Sequence, residues 1–356
     1  MASEVFFIKA GRDGDLSDMP ERVGRLADAA GLTEIVSKDL YFMLKIHFGE
    51  RGNNTYINPA WVRPLVARLK SGGAKAFLSD TNTLYVGSRS NAVDHLTIAA
   101  EHGFTYEKVG APLIIADGLQ GENQSCVEVD LTHYRQVYIA NDARASDGFV
   151  VATNVTGHML TGLGGAIKNV GMGLAGRGGK RSQHCDLNPD VVTKKCVACE
   201  TCVQWCPVGA IEVGDVAKID PEKCIGCGEC YAVCRHGAIK FAWTETSVNM
   251  QEKLAEHVSA VLKGKEARTM FFNFLTAVTR NCNCMGHTEV PEVAPIGVLA
   301  STDIVAVDQA SADVVNQRAG VDLFKKLYPE WDYTIQLAYS EKIGLGSRKY
   351  ALEEVP

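Results

Sequence analysis

Two cysteine runs dominate the chain and decide more about it than any other feature. Cys196-x2-Cys199-x2-Cys202-x3-Cys206-Pro207 is followed by Cys224-x2-Cys227-x2-Cys230-x3-Cys234. The runs form an internal repeat, with Cys196 mapping onto Cys224, Cys206 onto Cys234, and Gly209-Ala210-Ile211 onto Gly237-Ala238-Ile239. A cubane cluster needs three thiolates from one tight turn and a fourth from a distance, and in two-cluster runs the last cysteine of each run ligates the other cluster. The expected ligands are therefore Cys196, Cys199, Cys202 and Cys234 for one 4Fe–4S cluster, and Cys224, Cys227, Cys230 and Cys206 for the second. Zinc sites usually present two separated pairs of ligands, so three cysteines at this spacing would be wasteful for a tetrahedral ion. Arg235 stands where the first run has Pro207; a cation there changes no ligand and would raise the potential of the nearby cluster.

The rest of the chain is much larger than an electron wire requires. Its 356 residues suggest about two domains. Apolar runs at Val5–Ile8, Leu40–Ile46, Lys75–Ser79 and Pro112–Ala116 read as strands, and Trp61–Lys70 and Ser90–His102 carry the helical period. Gly72-Gly73 and Gly103 supply the stops. Cys126–Val129, Phe149–Ala152, Met270–Phe274 and Ile304–Val307 read as further strands. Glu252–Leu262, Asp308–Gln317 and Val321–Tyr328 read as helices. Alternating strands and helices predict an α/β fold, a largely parallel sheet flanked by helices. A small ferredoxin-like α+β module interrupts it. The expected division is 1–186 for the first part of the α/β domain, 187–244 for the module and 245–356 for the second part.

Composition excludes several classes. A hydrophobic share of 46% with 22% charged residues is ordinary for a globular protein. A net charge of −6 argues against a nucleic-acid partner, which would favour a basic stripe. No stretch reaches the roughly 18 apolar residues of a membrane span, and Met1–Lys9 lacks a signal peptide's basic start and long apolar core. A cytoplasmic location is expected, where clustered cysteines mean metal or redox chemistry rather than disulfides.

Two further regions carry candidate chemistry. Residues 157–179 read as a glycine-dense loop, with Lys168, Arg177 and Lys180 in or just after it. Glycines let backbone amides approach an anion, so Gly164, Gly165, Lys168, Arg177 and Lys180 are candidates for binding a cofactor, phosphate or carboxylate. The pattern is neither a P-loop nor a dinucleotide fingerprint, and a packed connector would use glycine as readily. His158 and Lys168 are the candidate catalytic groups. Of the 12 cysteines four lie outside the runs. Cys126 reads as a small core residue. Cys282 and Cys284, one residue apart, are candidate ligands of a third metal site that His184, Cys185 or His287 would complete. Lys45, His47 and Glu50 follow one strand and Asp80 and Asn82 another, at strand ends where α/β sheets bind ligands.

The whole pattern resembles a domain-of-unknown-function family of uncharacterised Fe–S centre proteins. The likeness rests on LKIHFGE (Leu44–Glu50), SDTNTLY (Ser79–Tyr85), IIADGLQG (Ile114–Gly121), GGAIKNVGMG (Gly164–Gly173), GKRSQH (Gly179–His184), the double cysteine run, Cys282-Asn283-Cys284, GVLASTD (Gly297–Asp303) and Asp308-Gln309-Ala310. Two positions depart from the family pattern: Thr156 stands in place of a lysine and Asn283 in place of an aspartate. The resemblance implies a 4Fe–4S protein. The leading expectation is electron transfer through two clusters to or from a ligand or metal in the α/β domain, with a redox partner protein or small redox substrate. The alternatives are a metal-, anion- or partner-binding protein with structural or sensory clusters, and an enzyme acting on a small carboxylate or phosphate.

Overall fold

A computed structural model describes every residue except 1, 86, 185–188, 207, 222, 225–229, 231–232 and 241–246. Eight strands form the central sheet: β1 (Ser3–Lys9), β2 (Tyr41–Lys45), β3 (Lys75–Asp80), β4 (Leu113–Ile115), β5 (Gly148–Asn154), β6 (Thr269–Leu275), β7 (Gly297–Ser301) and β8 (Tyr350–Glu354). Their order is β8-β1-β7-β6-β5-β2-β3-β4. Seven run in one direction; only β7 is reversed, pairing antiparallel with both β1 and β6. Strands from both sides of residues 187–244 thus share one sheet.

Helices cover both faces, which is why the strands read as near-continuous apolar runs. Val5, Met43, Phe149, Val151 and Phe271 point to one face. There they meet α4 (Ala166–Gly171), α6 (Ser247–Leu262), α7 (Ile304–Ala319) and α8 (Thr334–Lys342). Phe42, Leu44, Val150, Ala152 and Phe272 point to the other. That side is closed by α1 (Met19–Ala29), α2 (Pro59–Ser71) and α3 (Ala92–Glu101). A further helix, α5 (Arg177–His184), leads toward the cysteine module. The alternation of neighbouring side chains between two cores follows from the strand's period of two. Among the described residues no helix is long and apolar enough to cross a membrane.

The module has its own small core of Cys202, Ile211, Ala217, Cys230 and Ile239. Ile211–Val213 pairs antiparallel with Ala217–Ile219, and Asp190–Val191 with Ile239–Lys240.

Three sequence expectations are corrected. Ile304–Val307 is the first turn of α7, not a strand. The Asp303 carboxylate caps that helix by accepting from the amides of Val305 and Ala306, and all four residues are buried, so no helical period shows. The strand of that region is β7, a few residues earlier. Cys126 is exposed rather than core, because its strand, Gln124–Glu128, pairs only with Gln136–Ala140 away from the main sheet. Residues 157–179 are no open loop. They fold into the Thr156–His158 and Gly162–Gly164 hairpin, α4 and the start of α5.

Buried Asp308 on α7 fastens α4 to the sheet. Its carboxylate accepts from the amides of Ala166 (2.7 Å) and Ile167 (2.9 Å), and from Asn273 Nδ2 of β6 (2.7 Å). Asp308→Asn turns an N–H against these donors and should lower stability by about 1–3 kcal/mol. Urea denaturation monitored by circular dichroism reads this as a lower midpoint; an unchanged midpoint would contradict the assigned role.

Candidate functional site

The C-terminal ends of β2, β3 and β5 converge on a cavity of about 410 Å³, which the loop after β6 walls on one side. This is where open α/β sheets hold ligands, because side chains of several strands meet there without strand pairing to satisfy. Lys45 ends β2, Asp80 ends β3, and Thr153 and Asn154 end β5; all line the cavity. Among the described residues Asp80 is its only carboxylate, against the basic side chains of Lys45, Arg89, Lys168 and Lys180.

Asp80 organises the floor. Lys45 Nζ lies 3.0 Å from one of its oxygens; Arg89 Nη1 (3.3 Å) and His95 Nε2 (3.6 Å) lie near the other. Burial alone would push this carboxyl up, but Lys45, His95 and His47 hold it well below the usual carboxylate range. Lys45 also donates to Asn169 Oδ1 of α4 (2.7 Å). Arg89 reaches the Tyr85 hydroxyl (2.6 Å) and Glu50 (3.4 Å).

The thiol pair forms the wall after β6. Met285 N–H closes a turn onto the Cys282 carbonyl (3.1 Å). Between the cysteines, buried Asn283 also lines the cavity and is pinned on both sides of its amide. Its amide donates to Asn53 Oδ1 (3.2 Å) and Thr55 Oγ1 (2.8 Å), and its oxygen accepts from Asn154 Nδ2 (2.9 Å). Its carbonyl accepts from Glu50 N–H (3.0 Å). Anchored in this way, the turn presents both Cys282 and Cys284 to the cavity.

The two sulfurs are hydrogen-bonded to each other, and they ionise unequally. Cys284 accepts from Cys282, which outweighs burial; with His47, Lys168 and Arg89 beside it, its thiol falls well below the ordinary value. The same hydrogen bond, together with burial, pushes Cys282 well above it. Of the two, Cys284 is therefore the sulfur that ionises first. His47 Nε2 lies 3.2 Å from Cys284 Sγ. Gly49 N–H donates to His47 Nδ1 (3.0 Å), which fixes the proton on Nε2 and aims it at the sulfur. Burial followed by Arg89 lowers the pKa of His47, so a neutral ring makes this donation. Burial opposes a charge on Lys168, but Cys282 and Cys284 outweigh it and keep the ammonium, which is hydrogen-bonded to Cys282.

Of the residues singled out in the sequence, His158, Gly164, Gly165, Lys168, Lys180, His184, Cys282 and Cys284 all line this cavity. His158 is held well below its usual pKa by burial and Lys168, and His184 is lowered to about 4 by the same causes in that order. Lys180 donates to Thr81 Oγ1 and the Ala175 carbonyl, both at 2.6 Å. Arg177 does not line the cavity; it holds the carbonyls of Thr83, Ser90 and Gln120. His287 also lies off the cavity lining, 3.6 Å from Glu289, and Cys185 lies outside the described residues.

The glycines serve close packing. A Cβ at Gly165 would lie 2.5 Å from the Asp308 carboxylate. At Gly157, Gly171 and Gly179 it would meet the carbonyl oxygens of Arg280, Leu254 and Tyr138. The amides at the start of α4 already bind Asp308, so they are not free for a phosphate.

His47, Arg89 and Tyr85 are members of the site for which the chain gave only weak signals. Lys45-x-His47 after a strand marks a ligand-binding strand end, whereas nothing local distinguishes Arg89.

In the module, Cys196, Cys199, Cys202 and Cys234 line one small hollow. Burial raises the thiol of Cys202, and the neighbouring Cys199, Cys196 and Cys234 add to this. Backbone amides already point at the sulfurs: Ala217 N–H at Cys196 (3.3 Å), Ala238 N–H at Cys234 (3.3 Å) and Ala210 N–H at Cys206 (3.1 Å). Convergence of four thiols and N–H donation to sulfur fit a cubane. Among the described residues no three His, Cys, Asp or Glu side chains converge as round a single metal ion. Cubane ligands stand further apart than that, because each thiolate binds a different iron. In the second set Cys227 lies outside the described residues.

A family model described as a domain of unknown function, DUF362, matches residues 43–313. The chain belongs to this family. The matched DUF362 segment spans the cavity, the module and the thiol turn. No curated protein matches the chain. Among solved structures it is similar to the lactate racemase apoprotein from Thermoanaerobacterium thermosaccharolyticum, at 11% identity and a TM-score of 0.44, covering 88% of this chain and 57% of that one. It is also similar to a protein from Thermotoga maritima, at 10% identity and a TM-score of 0.40, covering 93% of this chain and 60% of that one. The chain thus spans about three-fifths of the length of the structures it matches.

The ionisation of the thiol pair is directly measurable. Iodoacetamide should label Cys284 with a pH midpoint well below that of a free thiol, and His47→Leu should raise the midpoint and slow labelling at pH 7 by about tenfold. Peptide mass spectrometry across a pH series follows both; an ordinary thiol midpoint in the unaltered chain would refute the assigned thiolate.

Proposed function

We propose that this DUF362 protein is an iron–sulfur oxidoreductase of the cytoplasm. Two 4Fe–4S clusters in the module would exchange electrons with a redox partner and pass them to or from a small anionic ligand in the cavity. What supports the reading is how the module is attached. The chain leaves the α/β domain at His184 and re-enters it at Ser247. His184 lines the cavity, and Ser247 Oγ donates to the carbonyl of Leu160 (2.6 Å), another lining residue. Both ends of the module are thus tied to the wall of the proposed reaction site.

The clusters, bound by Cys196, Cys199, Cys202 and Cys234 and by Cys224, Cys227, Cys230 and Cys206, supply one-electron transfer. The cavity residues do the rest. Lys45 and Arg89 are paired with Asp80 and Glu50, which leaves Lys168 as the cation to favour a carboxylate or phosphate. Asn154 Oδ1 and Thr156 Oγ1 are buried on its wall without a hydrogen-bond partner among the described residues. Buried polar atoms of this kind call for a partner, which a ligand or water supplies.

Anaerobically purified protein should carry about eight iron and eight sulfide per chain. Dithionite should reduce it to a state with electron paramagnetic resonance signals of two interacting clusters, and Cys199→Ser should bring the iron toward about four. Zinc in place of iron, or clusters that no reductant reaches, would overturn the proposal.

A further inference from the structure

Cys282 and Cys284 remain to be explained, because no third His, Cys, Asp or Glu among the described residues joins them as round a metal ion. We propose that the two are a redox-active dithiol which exchanges with a small anionic disulfide bound in the cavity. This deepens the oxidoreductase reading, and depends on it only for the return of electrons.

Four observations carry the inference. The turn closed by Met285 N–H onto the Cys282 carbonyl brings the two cysteines together, and both line the same cavity. The first and third residues of such a turn lie roughly within the 4.4–6.8 Å Cα separation that a disulfide spans. Asn283 between them is anchored on both faces of its amide, so the cysteines can link without dragging the loop. The His47 Nε2–H, with its tautomer set by Gly49, points at Cys284 and marks it as the attacking sulfur. Finally, the cavity is open to a small molecule, and the Lys168 ammonium on its wall faces the sulfurs rather than a carboxylate.

The chemistry balances on these residues. The Cys284 thiolate attacks one sulfur of the ligand disulfide; that S–S bond breaks, and the leaving thiolate takes a proton from the Lys168 ammonium. Cys282 then attacks the Cys284 sulfur and passes its own proton to the Lys168 amine. The second half of the ligand leaves as thiolate, and a Cys282–Cys284 disulfide remains. Two electrons and one proton restore the thiol and thiolate. A disulfide is a two-electron couple and each cluster carries one electron, so two clusters suffice for one turnover.

The test uses the anaerobically isolated protein and oxidised glutathione as the anionic probe, with 2-hydroxyethyl disulfide as the neutral control. After an acid quench, alkylation and digestion, the peptide holding Cys282 and Cys284 should be found unalkylated and internally linked. Cys282→Ser should stop at a mixed disulfide on Cys284, and Cys284→Ser should form neither product. His47→Leu should slow the exchange by about tenfold and His47→Gln, which keeps an N–H donor, should restore most of it. Oxidised glutathione should outrun the neutral probe. A peptide alkylated at both cysteines after exposure, a Cys282→Ser protein that traps no adduct, or equal rates in both His47 variants and the unaltered chain would overturn the proposal. Exchange in protein without iron would defeat the cluster reading alone; full iron without exchange would defeat the dithiol alone.

Discussion

The carboxylate of Asp80 is the interaction on which the site is built. It ends β3 in a buried position and binds Lys45 from β2, Arg89 from the loop after β3, and His95 from α3. Ions so placed are held only because each is paired, and removing one partner of a buried pair leaves an uncompensated charge costing about 3–5 kcal/mol. From Asp80 the order spreads outward. Arg89 holds Tyr85 and Glu50; the Tyr85 hydroxyl lies 3.4 Å from the Cys284 carbonyl, and Glu50 N–H donates to Asn283. The thiol turn is therefore positioned by a polar chain that starts on the sheet.

The same network sets the electrostatics of the cavity. Lys45 and Arg89 are largely neutralised by Asp80 and Glu50, whereas Lys168 faces the two sulfurs. A thiolate beside an ammonium in a poorly solvated cavity is strongly favoured over one in water. Burial keeps His158 and His184 neutral, and they contribute lone pairs or N–H groups rather than charge.

What could be read from the chain depended on whether its signal was local. Apolar runs such as Phe149–Ala152 and Met270–Phe274 are strands because both faces of the sheet are covered. Ile304–Val307 carries the same apolar signal but forms the first turn of a helix, buried at all four positions, and only the cap at Asp303 distinguishes it. Glycines that let an anion approach look like glycines that let a carbonyl approach; at Gly157 and Gly179 the partner is a carbonyl oxygen from a distant segment. Lys168 and the cysteine pair were legible by residue type. The partnership of His47 with Cys284 was not, since 237 positions separate them.

The reversed strand β7 has a consequence beyond topology. In an all-parallel sheet the chain leaving β6 would cross a helical layer to begin its next strand at the far end. Here β7 begins where β6 ends, with Leu275 opposite Gly297. Residues 276–296 are thus a closed loop on a stem of two interior strands, at the end where β6 finishes and β7 begins. Apart from Val278, Val293 and Ile296, which pack on the core, and the anchored Asn283, their length and composition can change without shifting any strand register. Cys282 and Cys284 sit on a part of the chain that can diversify largely independently of the scaffold, so members of one fold can vary this wall of the cavity while keeping the same architecture.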